Sequence, residues 1–192
     1  MKRKAVILVL GMSLLAISGC VFAPWKDRTY VTGGDFPATH GDAMDALTGW
    51  GEKTYESAKI DGMLCSVMME ASGFYLERRG PYAVWLLLAR VVDRRKADSV
   101  ERVRIRRIRV KRDGDILYEL GELILALDGR ERYHGRTLVT GECHLWLPDV
   151  LDPCDGKHIQ VVIEVVDKTG TVREVAMHFL PKVEKGLVQL LG

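Results

Sequence analysis

Residues 100–123 restrict the fold more than any other stretch of this chain. Val103 and Ile105 alternate with Arg102, Arg104 and Arg106; the phase slips at Arg107, and Ile108 and Val110 then alternate with Arg107, Arg109 and Lys111. Period two is the mark of a strand with one face buried and one in water, and a one-residue slip inside it reads as a β-bulge. Asp113-Gly114-Asp115 follows, a hairpin signal. With those three residues as the loop, Arg109 faces Glu119, Arg106 faces Glu122, Ile108 faces Leu120 and Ile105 faces Leu123. Charge then meets charge and apolar meets apolar. The chain has to supply an antiparallel sheet with a core on one side.

The rest of the chain supplies more strands. Met63, Cys65, Val67 and Met69 alternate with Leu64, Ser66, Met68 and Glu70. Gly80-Pro81 breaks the chain before Tyr82–Val92, a run apolar on both parities, which predicts a central strand covered on both sides. Ile116 to Asp128 is the hairpin partner, with Gly121 a kink, and Arg130 to Arg136 reads as a polar loop. Strand patterns follow at Thr137–Thr140, Cys143–Leu147, Lys157–Val166 and Thr171–Leu180, the last two joined by Asp167-Lys168-Thr169-Gly170. Residues 181–192 read as a tail or edge segment. Between residues 21 and 61 the chain is mostly small or polar, with Pro24, Gly33-Gly34, Pro37 and Gly41 as breakers, and reads as a tether. Within it Asp42–Trp50 predicts one or two helical turns, with Met44, Leu47 and Trp50 on one side.

Seven or eight strands separated by turns, with no long helix between them, predict a mainly β protein, an antiparallel β-sandwich over residues 62–192. The order Cys65, Trp85, Cys143 resembles that of immunoglobulin domains, in which a tryptophan packs on a disulfide between the two sheets. Gly141 stands two residues before Cys143 where that family has a tyrosine, so the resemblance implies the architecture alone.

The N-terminus carries an address. Lys2-Arg3-Lys4 precedes an apolar run from Ala5 to Ile17 that is well short of the roughly 30 Å of a bilayer, and small residues end it. This predicts a signal peptide over residues 1–19. Ile17-Ser18-Gly19-Cys20 resembles the lipobox of bacterial lipoproteins, a family in which the peptide is cut before the cysteine and the cysteine is acylated. The resemblance implies lipid attachment at Cys20 and a membrane as partner. It also implies a place in the bacterial cell envelope. Val21 stands where the family's inner-membrane retention signal is an aspartate, which favours the outer membrane, facing the periplasm.

With the signal removed about 170 residues remain, enough for one domain with a real core. Lys and Arg number 28 against 26 Asp and Glu, so nothing global points to nucleic acid. Export puts Cys65, Cys143 and Cys154 in an oxidising compartment, and the expected pair is Cys143 with Cys154. The chain-entropy estimate gives such a short loop on the order of 3 kcal/mol. Cys143, His144, Cys154 and His158 suit zinc by residue type, but their spacing fits no compact zinc pattern, and strand alternation sends His144 to the face opposite Cys143. No nucleophile elbow, zincin pair or phosphate-cradling glycine pattern is present.

These features predict a lipid-anchored, non-enzymatic binding or assembly module without a cofactor. Its partner would be another envelope protein or an anionic envelope lipid. The alternative is an envelope enzyme or metal protein using residues 143–158. On the basic strand, Arg102, Arg104 and Lys111 are the candidate anion-binding face, left free while Glu122 and Glu119 hold Arg106 and Arg109; the alternative is a solvated strand face that resists edge aggregation.

Overall fold

The computed structural model describes residues 21–32, 34–74, 77–93, 100–147 and 155–191. Its strands are β1 Val21–Thr32, β2 Lys59–Ile60, β3 Met63–Phe74, β4 Glu77–Val92, β5 Glu101–Arg112, β6 Asp115–Leu120, β7 Leu123–Leu127, β8 Gly129–Tyr133, β9 Arg136–Trp146, β10 Ile159–Val166 and β11 Val172–Leu191. Among the described residues there is one α-helix, α1, over His40–Thr48. The protein is mainly β, and its pairing is antiparallel except for two residues of β1 that run parallel to β4.

Strand β4 explains how the layers form. Its second half lies between β3 and β9, and its first half touches β1, which carries the ladder on to β11, β10 and β5. The sheet curls so that the β3–β4–β9 layer faces the β11–β10–β5–β7 layer. Cys65, Val67, Val84, Leu86 and Leu88 from the first meet Ile105, Ile108, Leu127, Val161, Ile163 and Met177 from the second. This arrangement is sandwich-like.

The other parity of β4 is buried too, as the doubly apolar run predicts. Leu64, Met68, Leu87, Ala89 and Leu138 turn away from the main core and are covered by Ala43 and Met44 of α1. Burying a Leu or Met side chain contributes about 1.5–3 kcal/mol, which is what lets so short a helix persist. Thr39 caps it: its hydroxyl accepts from the Asp42 N–H at 3.1 Å while the Asp42 carboxylate accepts from the Thr39 N–H at 3.0 Å. Leu47 packs on this second core, whereas Trp50, expected on the same side, is 68% exposed and stacks on His134.

The patterned hairpin keeps its predicted register through a compensation. Its loop has two residues, Asp113 and Gly114, both at positive φ, so Arg112 pairs with Asp115. An extra residue, Leu117, then bulges between the pairs Lys111–Ile116 and Val110–Tyr118. Two changes of one residue cancel, and Arg109 still faces Glu119 while Ile108 faces Leu120. The phase slip is real: β10 pairs Glu164 with Arg107 and Val165 with Ile105, leaving Arg106 as the extra residue. Opposite it the partner strand breaks at Gly121-Glu122 into β6 and β7.

Three expectations change. Residues 21–32, read as tether, form β1, because β11 supplies the hydrogen bonds that the small and polar sequence does not advertise. The apparent tail belongs to β11, which runs from Val172 to Leu191. The polar stretch after Gly129 is β8, turned onto β9 at His134-Gly135 with φ of 44° and 76°. The Gly80-Pro81 break appears as a shift in the β3–β4 ladder between Ala71 and Gly73.

Candidate functional site

Arg102 and Arg104 line a cleft of about 210 Å³ at one end of the sandwich, together with Arg90, Glu101, Asp61, Asp167 and Lys168. Alternation on β5 sends both arginines outward, and the β10–β11 turn brings in Lys168. Most of these charges are matched. Arg90 donates to both Glu101 oxygens at 2.8 and 2.9 Å, and Arg104 grips Glu122 through Nε and Nη2 at 2.8 Å each. The Arg104 guanidinium holds the Glu122 carboxyl below its usual range. Arg104, expected to be free, is therefore paired. The cause is the break at Gly121-Glu122, which offers Glu122 to Arg104 instead of Arg106.

The other expected pairings shift as well. Arg106 lies 3.8 Å from Glu164, and Arg109 reaches Glu164 at 2.6 Å and Glu174 at 3.4 Å, so β10 and β11 supply the carboxylates. Glu119 sits 4.0 Å from Arg107. Arg102 and Lys111 make no ion pair among the described residues, but nine residues of strand, roughly 30 Å, separate them. They cannot grip one small anion together. Arg90 and Lys168 were not singled out in the sequence; Arg90 is the single cation in the central run, the one cue available.

The wall of the cleft at Asp167 is tied down by hydrogen bonds. Its carboxylate accepts from the Thr169 hydroxyl at 2.6 Å, from the Thr169 and Thr171 N–H groups at 2.9 Å and from Arg173 Nε at 3.1 Å. The Thr169 hydroxyl, then the Thr171 amide and Arg173, hold its pKa at about 2.

A second cluster lies on the outer side of the β4–β9 layer, beside α1. Trp85 is flanked by His40 and His144, with ring centroids 5.8 and 5.3 Å away. His40 Nε2 lies 3.4 Å from Glu131, and His144 lies 3.9 Å from Glu142. Nearby, Trp50 stacks on His134 at 3.8 Å, and Tyr133 donates to Asp45 at 2.9 Å, a bond that raises the phenol pKa. Trp146 is 64% exposed on the same side. No described strand pairs with β9 beyond Thr140 on its β8 side.

Cys65 and Cys143 are free thiols on the strands flanking β4, opposite Leu88 and Leu86 respectively. They belong to one layer, two strand spacings apart and offset by two residues along the strands, roughly 11–12 Å in all and beyond disulfide reach. Trp85 faces away from both, so the immunoglobulin-like packing of tryptophan on cystine is not formed. Cys143 points into the main core and His144 outward, as alternation predicts. Among the described residues no group of three His, Cys, Asp or Glu side chains is placed to hold a metal ion. Cys20 and Cys154, with the expected Cys143–Cys154 pairing, lie outside the described residues.

The chain matches no protein-family model, no curated protein and no solved structure.

Proposed function

We propose that this protein is a lipid-anchored, non-enzymatic binding or assembly module of the bacterial cell envelope, held through Cys20 to the outer membrane and facing the periplasm. The observation that carries the reading is that the residues following that cysteine, from Val21 on, already belong to strand β1 of the folded sheet. Acyl chains on Cys20 would hold the folded sheet itself at the bilayer rather than a body on a long leash, and two or three chains give stable anchoring where one gives marginal binding. The outward-facing rings Trp50 and Trp146 are the surface on which an envelope protein partner would dock, since tryptophan is enriched among interface anchors.

Metabolic labelling with a fatty acid tests the anchor. The wild-type chain should take up label and fractionate with membranes; Cys20→Ala should lose both. Equal label on the variant removes the basis of the reading.

A further inference from the structure

The cleft at the end of the sandwich holds two cations that the fold does not use. Val166 of β10 pairs with Arg104 of β5, and two residues past that pair Lys168 and Arg102 both line the cleft. Both residues are exposed, and among the described residues neither side chain has an ion-pair or hydrogen-bond partner. The other charges are matched. Arg90 is held by Glu101 and Arg104 by Glu122, while the Asp167 carboxylate is taken up by Thr169, Thr171 and Arg173. That leaves Asp61, which accepts from the Lys168 backbone N–H at 3.2 Å. The balance is two free cations against one carboxylate that is already hydrogen-bonded.

Size, charge and surroundings together select what fits there. At about 210 Å³ the cleft is smaller than the roughly 300–1,000 Å³ of a site for a drug-sized molecule, so it suits a small group. Two cations beside each other repel, and an anion bearing close to two charges removes that repulsion where a carboxylate neutralises only one. Arginine offers directed N–H donors and lysine a compact charge, a combination that matches the oxygens of phosphate. The floor of the cleft is the end of the main core, with Ile60, Met63, Val103 and Val165 buried there. Apolar surface at the floor lowers the local dielectric and strengthens charge interactions above it.

We propose that this cleft binds a phosphate group, gripped between Arg102 and Lys168. A phosphate monoester carries about 1.5 to 2 negative charges at pH 7, which is the charge the two side chains leave unmatched. Free inorganic phosphate and the phosphate headgroup of a lipid present the same chemistry to them. The site needs neither acylation at Cys20 nor the tryptophan surface, so it stands apart from the anchor.

The test uses the chain from position 20 onward, which contains every described strand, with Cys20→Ser so that no acyl chain contributes. Calorimetric titration with inorganic phosphate at neutral pH and low salt should show one site per chain. Arg102→Gln and Lys168→Gln should each weaken binding about tenfold or more, the loss of one charge-assisted contact. Lys111→Gln, which removes an equally unpaired cation roughly 30 Å away along β5, should leave it unchanged. Asp61→Asn keeps an acceptor for the Lys168 amide and suits the φ of 51° at that position, so it should tighten binding about twofold or more by removing a nearby negative charge. A gain of this kind cannot come from misfolding.

Vesicles of phosphatidylcholine with and without phosphatidic acid separate the two sources. Sedimentation that requires phosphatidic acid and Arg102, and that soluble phosphate reverses, assigns a lipid headgroup; phosphate binding without such sedimentation assigns the free ion. No phosphate binding by the wild type, or equal loss from Lys111→Gln and Arg102→Gln, overturns the proposal. In the wild type, added phosphate should shift the amide resonances of residues 102–104 and 167–169, and shifts confined to other strands overturn it as well. The anchor and the cleft fail separately. An unlabelled Cys20 with phosphate binding intact removes the anchor alone; a labelled Cys20 with no phosphate binding removes the cleft site alone.

Discussion

Arg109 donates to Glu164 at 2.6 Å across the β5–β10 pair, with side chains only 18% and 12% exposed. A charge pair this sheltered is costly to break and far less costly to replace, because removing one partner strands the other in a poorly solvated place. Arg109→Ala should lower stability by about 3 kcal/mol, with Arg106 at 3.8 Å from Glu164 limiting the loss. Arg109→Met combined with Glu164→Leu should lose less than the single change. Denaturant unfolding of the three proteins checks this; a double variant weaker than Arg109→Ala contradicts it.

Asp167 gives the fold an acid limit. Its carboxyl lies at about 2 in the folded protein against an ordinary 3.8, because Thr169, Thr171 and Arg173 favour the charged form. A depressed native pKa contributes stability that is complete above about 4 and is lost as pH falls through 2. Asp167→Asn should therefore melt below the wild type at pH 7, and the gap should close as the melts are moved from pH 4 towards pH 2. A gap that stays constant over that window means the carboxylate is not the cause.

Much of this was legible in the residues, and what was not has identifiable causes. Alternation at Val103–Lys111 gave the inner face of β5 and the place of its bulge, and the doubly apolar Tyr82–Val92 run gave a strand covered on both sides. β1 was hidden because its hydrogen bonds come from β11, some 150 residues away, and neither strand alternates cleanly. The ion pairs were misassigned because the hairpin pattern names only local partners. Glu164 and Glu174, on β10 and β11, become neighbours of Arg109 only once the sheet order is known. The cleft at Arg102 depends on Arg90 and Lys168 in the same way.

Gly141 is where β7 passes over β9. A Cβ there would stand 2.5 Å from the Ala126 carbonyl oxygen and 2.8 Å from a Leu127 methyl. The oxygen belongs to backbone held in the β5–β7 ladder, so it cannot move aside cheaply. Gly141→Ala should cost about 1–3 kcal/mol, the range for overpacking a filled interior. Gly135→Ala, in an open turn at φ 76°, has no such clash and pays only for its backbone conformation. Thermal melts that rank Gly135→Ala as the more damaging change would show that the crossing is looser than these distances imply.

The cysteines separate by burial, and their chemistry should follow. Cys65 is fully buried in the main core, which pushes its pKa to about 12, and partial burial also raises Cys143. The thiolate is the reactive form, so at pH 8 a thiol near 12 is ionised in roughly one molecule in ten thousand, before access is considered. In reduced native protein, alkylation followed by peptide mass spectrometry should modify Cys143 slowly and leave Cys65 untouched. Raising the pH from 7 to 9 should speed Cys143, because more of it becomes thiolate as its raised pKa is approached from below. Cys65 should react only at the rate at which the whole sandwich unfolds, and its labelling should rise with denaturant in step with loss of the sheet. Labelling of Cys65 at the Cys143 rate in native buffer would mean that β3 opens without the rest of its layer, and would break the packing between Cys65, Val67 and Leu88 on which the main core is built.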